Sequence, residues 1–86
     1  MAKRMKETEE VVSGIRRQIR SFEKRAADED PWTVEEMISL RAELAAAEVR
    51  TVARLRQVGF TWADIGFSIG ISAITAHKRY SHKIGK

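Results

Sequence analysis

Apolar side chains in the first third of the chain recur three and four residues apart, at Val12, Ile15, Ile19, Phe22 and Ala26, with Met5 and Thr8 extending the register backwards. That period is helical, and it turns Arg16, Arg17, Arg20, Glu23 and Lys24 away from the stripe. Gly14 costs about 1 kcal/mol in a helix interior, which makes it the place where this helix would kink or fray. The spacing is also close to a heptad. Two readings of the stripe therefore stand: a seam between two copies of the chain, or a face packed on a neighbouring helix of the same chain.

Pro31, the chain's one proline, ends the first helix around Asp28 to Pro31, because proline lacks a donor and restricts the residue before it. A second helix start follows. Thr33 can cap it, Glu36 stands at the reciprocal position of a capping box, and Trp32 and Met37 are spaced as a hydrophobic staple. A start at Asp30 with Pro31 in the first helical position is the alternative. The second helix is predicted to run to about Gln57, with Met37, Leu40, Leu44, Ala47, Val52 and Leu55 roughly on one side. Two long helices and a short link predict an antiparallel hairpin over residues 1–57.

Composition narrows the function classes. The chain has 86 residues, enough for one small domain. No stretch approaches the roughly 18 apolar residues of a membrane span. Glu7, Glu9 and Glu10 stand where a signal peptide would be apolar, so none is expected. The absence of cysteine excludes disulfide staples and thiolate metal sites, and a cytoplasmic location is expected. The net charge is +4, and it is unevenly spread. From residue 60 onward Lys78, Arg79, Lys83 and Lys86 face Asp64 as the one acidic side chain. A basic end beside a nearly neutral middle suggests a surface for a polyanion.

The same end carries the most specific pattern. Thr61 and Asp64 form a box-like helix start, and Trp62, Ile65 and Ile69 follow at helical spacing. Gly70 breaks that helix, Ser72 can cap the next, and Ala76 and Tyr80 mark its inward face, with Ile71 plugging the turn. Gly66 removes bulk where the helices cross, and Gly70 supplies a left-handed turn. Phe60, Trp62, Phe67 and Tyr80 are expected in the core. The phrase G-x-T-W-A-D-I-G…G-I-S-x-x-T-A-x-K-R-Y resembles the helix-turn-helix of bacterial and phage DNA-binding regulators, especially the sigma-factor region 4-like class. The resemblance spans about residues 54–84. It implies structural roles for Ile65, Gly66, Ile69, Gly70, Ile71 and Ala76, and a second helix that enters the major groove of DNA.

Carried over residue by residue, the resemblance puts Ser72, Ala73, Ile74, His77, Lys78 and Ser81 at groove-facing positions. Relatives often hold Arg and Gln just after the turn serine; here Ala73 and Ile74 stand there, which weakens base-edge readout and leaves a thymine methyl as their partner. His77 is the remaining base reader. Lys78, Arg79, Lys83 and Lys86 suit phosphate, as do the hydroxyls of Thr75 and Ser81, and Arg54 and Arg56 extend the basic surface.

The expected architecture is thus all-α: a long helical hairpin over 1–57, able to serve as a dimerisation element, then a helix-turn-helix over 58–86. The expected function is a small double-stranded-DNA-binding protein, a bacterial or phage transcription regulator acting as a homodimer. Two rivals stay open: a module docking on a transcription or host protein, and a low-specificity architectural or DNA-packaging protein. No enzyme, metal site or cofactor is expected, since His77 and His82 fall on different helix faces and no Gly-rich phosphate loop is present.

Overall fold

The computed structural model describes residues 2–26 and 31–84. They form four helices, α1 (Ala2–Ala26), α2 (Trp32–Gln57), α3 (Trp62–Ile69) and α4 (Ala73–Tyr80), and no strand. The chain divides into two compact units between Ile38 and Ser39, inside α2.

In the first unit α1 continues through Gly14 as unbroken helix, so the expected interruption there is absent. A Cβ on Gly14 would meet nothing within 4 Å. Lys24 and Arg25 occupy its last turn, where cations complement the helix dipole. The stripe is largely in water: Val12, Ile15 and Ile19 are exposed, Ile19 at 58%, while Phe22 and Ala26 are half-buried. The expected end of α1 at Asp28–Asp30, and the alternative α2 start at Asp30, lie outside the described residues. α2 begins at Trp32, with the Val34 N–H donating to the Pro31 carbonyl at 3.1 Å. Thr33 thus lies within the first turn, one residue after the helix start, and Trp32 is largely exposed. The helix therefore begins directly after Pro31, one residue before Thr33.

The second unit has a small core. Val52 of α2, Ile65 of α3 and Tyr80 of α4 form its buried cluster, with Leu55 and Trp62 packed against it. Leu40 and Leu44, expected on the same side of α2, are exposed. Two glycines punctuate this unit by one device. At the end of α2, Gly59 (φ 106°) donates to Arg56 and Phe60 donates to Leu55, at 3.1 and 3.0 Å. At the end of α3, Gly70 (φ 77°) donates to Phe67 at 3.3 Å and Ile71 to Gly66 at 2.8 Å. Each pair of bonds is a Schellman ending, which satisfies orphan carbonyls through a left-handed residue.

Candidate nucleic-acid interface

α3 starts at a reciprocal capping box. The Asp64 N–H donates to Thr61 Oγ1 at 3.0 Å, and the Thr61 N–H donates to Asp64 Oδ2 at 2.9 Å. The Thr61 backbone N–H, then its side chain, hold the Asp64 carboxyl below its ordinary range. The single acidic residue of the basic end is therefore engaged at a helix start. Trp62, Ile65 and Gly66 form the inward stripe. A Cβ on Gly66 would lie 2.6 Å from the Ile71 carbonyl oxygen and 2.9 Å from that of Ser72. The glycine thus admits the backbone of the turn and of the α4 cap against α3.

Three expectations for the core are corrected here. Ile69 and Phe60 are both 47% exposed, and Phe67 is 88% exposed. Phe67 is two residues from Ile65, about 200° around the helix, so it points away from the core. Ile69 ends an α3 of eight residues and reaches only the rim.

Ser72 caps α4. Its hydroxyl accepts the Thr75 N–H at 3.1 Å and donates to Thr75 Oγ1 at 3.0 Å. The Ser72 hydroxyl is thus engaged in the cap while the residue stays exposed, and Thr75 keeps its own hydroxyl hydrogen. Ala76 (0% exposed) and Tyr80 face inward, four residues apart. Ala73 is half-buried, and so is Ser81, whose N–H donates to the His77 carbonyl at 2.9 Å. What α4 presents to solvent is Ile74, Thr75, His77, Lys78 and Arg79. Lys83, expected to suit phosphate, stands in the turn beyond α4, with its N–H donating to the Tyr80 carbonyl at 2.9 Å. Lys86 lies outside the described residues.

Two side-chain clusters hold α4, and neither is visible as a motif. The Tyr80 hydroxyl donates to Glu48 Oε2 of α2 at 2.6 Å. The neighbouring carboxylate, and then burial, push the phenol pKa up, with Arg79 opposing. On the other side His77 meets Trp62 edge-on, with ring centroids 5.4 Å apart and planes at 82°. The Arg56 guanidinium lies 4.8 Å from the Trp62 centroid and donates to the Phe60 carbonyl at 3.0 Å. His77 is therefore partly committed to the α3–α4 contact. Arg56, placed by the sequence only in a general basic surface, acquires a definite position through cation–π contact.

An open groove runs along the same unit, lined by Leu44, Val52, Leu55, Ile65, Ile69 and Tyr80 among others. Among the described residues no group of three or more His, Cys, Asp or Glu side chains stands ready to hold a metal ion, and no helix is long and apolar enough to cross a membrane. No family model, curated protein or solved structure matches the chain.

Proposed function

We propose that the chain is a small double-stranded-DNA-binding protein, a bacterial or phage transcription regulator working in the cytoplasm, whose α3–turn–α4 is a helix-turn-helix with α4 as the recognition helix. The observation that carries this reading is the outward face of α4. It presents Lys78, Arg79, Thr75, His77 and Ile74 and contains no carboxylate. A cationic helix face with short polar neighbours suits a phosphate-lined groove. Residues 1–57 supply the hairpin of the same proposal, and the exposed Val12–Ile15–Ile19 stripe supports its use as a dimer seam. A dimer would bring two recognition helices to half-sites about one DNA turn apart.

The test is a titration against duplex DNA at two salt concentrations. Binding that weakens steeply with salt supports the reading, and no binding at low salt refutes it. Binding with the same affinity on every duplex would favour the architectural form of the same activity. A second reading, docking on a protein partner, is supported by the exposure of Phe67 and by the apolar groove beside α2. It predicts that the basic side chains of α4 are dispensable.

A further inference from the structure

The outward face of α4 holds one large apolar side chain. Ile74 is 70% exposed, in the first turn, with Lys78 one helical turn further on and also exposed. Its neighbour Ala73 is half-buried and Ala76 is fully buried, so the apolar surface that this helix offers outward is that of Ile74. The position is well defined. Ser72 anchors the start of the helix through two hydrogen bonds to Thr75, and a β-branched side chain on a helix has one strongly preferred χ1 rotamer. α4 carries no acidic residue and its last turn holds His77, Lys78 and Arg79, which complements a polyanion better than an acidic or neutral protein surface.

Resting on the DNA-binding proposal above, we infer that Ile74 is a specificity-determining residue that reads the C5-methyl group of thymine in the major groove. The edges of the bases in that groove are hydrogen-bond donors and acceptors, and the thymine methyl is the apolar exception. Ile74 has no donor or acceptor beyond its backbone, so against any other base edge it would desolvate a polar group without replacing the lost hydrogen bond. Against the methyl it removes two apolar surfaces from water at once. Lys78, one turn along the same face, supplies a phosphate contact that sets the approach but carries no sequence information. The resulting preference is for a methylated pyrimidine at one position of each half-site. It is carried by an apolar contact, without the bidentate hydrogen bonds of an Arg or Gln.

The test uses the full chain and an alternating A·T duplex of about 20 base pairs, two helical turns, beside the same duplex with deoxyuridine in place of thymidine. The substitution deletes the methyl groups and leaves every hydrogen-bonding edge in place. The expected result is binding about fourfold weaker on the deoxyuridine duplex for each methyl contacted, the effect of one methyl-sized group on transfer from water. Ile74→Ala is expected to bind both duplexes alike, with the melting temperature of the wild type because the side chain is exposed. Lys78→Ala is expected to weaken both duplexes equally and to keep the ratio. Equal binding of the two duplexes by the wild type overturns the inference while the DNA-binding reading stands. A ratio that survives in Ile74→Ala overturns the assignment to this residue. No binding to either duplex at low salt overturns both.

Discussion

Gly66→Ala and Gly14→Ala make the same chemical change in two helices, and the structure requires opposite outcomes. In a helix interior alanine is favoured over glycine by about 1 kcal/mol. At Gly14 nothing lies within 4 Å of the added Cβ, so the propensity gain should appear nearly in full. At Gly66 the Cβ would sit 2.6 Å from the Ile71 oxygen and 2.9 Å from the Ser72 oxygen. Both obstacles are backbone atoms and cannot swing away as a flexible side chain would. The Ile71 N–H also donates to the Gly66 carbonyl at 2.8 Å, so moving the turn to relieve the clash strains the bond that ends α3. Overpacking of this kind costs typically about 1–3 kcal/mol and sometimes more. With two backbone oxygens in the way the cost should lie in the upper part of that range, about 2–3 kcal/mol, and the propensity gain of about 1 kcal/mol leaves a net loss of about 1–2 kcal/mol. For a chain of this length each kcal/mol corresponds to about 4–8 °C in melting temperature. Thermal and urea unfolding followed by circular dichroism read both variants. Gly66→Ala melting at or above the wild type would refute the close approach of the turn to α3, and with it the geometry that presents α4.

Tyr80→Phe removes the hydroxyl that donates to Glu48 and should cost about 1 kcal/mol in urea unfolding. The raised phenol pKa means that its stabilising effect is present below the ordinary value of about 10 and fades as pH rises through the higher folded value. The alkaline loss of stability should accordingly be shallower in Tyr80→Phe than in the wild type. Asp64 has the opposite sign. Its carboxyl is held low by Thr61, so its contribution is present above the ordinary carboxylate pKa and fades as the solution is acidified; Asp64→Asn should flatten that acid limb. Lys78→Ala with Lys83→Ala should weaken duplex binding on all sequences and lower the salt slope by nearly one for each lysine that contacts phosphate, read by titration at several salt concentrations. Ile19→Asp should dissociate a dimer formed through the α1 stripe, since an unpaired carboxylate in a packed seam costs several kcal/mol. A wild-type monomer in sedimentation at tens of micromolar would sink that seam.

The features legible in the sequence are those written within a few residues. Thr61 with Asp64, Gly70 at the end of α3, Ser72 at the start of α4, and the inward pair Ala76 and Tyr80 all follow from short-range spacing, and the structure has each of them. A cap or a left-handed glycine needs only its own turn of helix to be satisfied, so its signal is local. The start of α2 was less legible because Pro31 and Thr33 both signal a helix start within three residues, and capping chemistry alone does not rank them. Hydrophobicity misled at Phe60, Phe67 and Ile69. A small domain lacks the polar surface to cover itself, so large apolar side chains on the outer face or at the end of a short helix, or in the turn before it, remain in water.

Contacts distant in sequence were not legible at all, and they decide how α4 is held. The bond from Tyr80 to Glu48 joins residues 32 apart, and nothing in the identity of either side chain names the other. The same holds for the edge of His77 on Trp62. These two contacts bear on α4 as the proposed recognition helix. The ring contact draws His77, the polar side chain best suited to a base edge, toward Trp62 of α3, and the cap engages the Ser72 hydroxyl with Thr75. Lys78 and Arg79, with their reach to phosphate, and Ile74, with its apolar tip, are left as long exposed side chains of the outward face. On the DNA-binding proposal, a helix whose His77 and Ser72 are engaged in this way can still discriminate between sequences if the group it discriminates is itself apolar. That is why the thymine methyl, present or deleted at constant hydrogen-bonding pattern, separates a base-reading α4 from one that only grips the backbone.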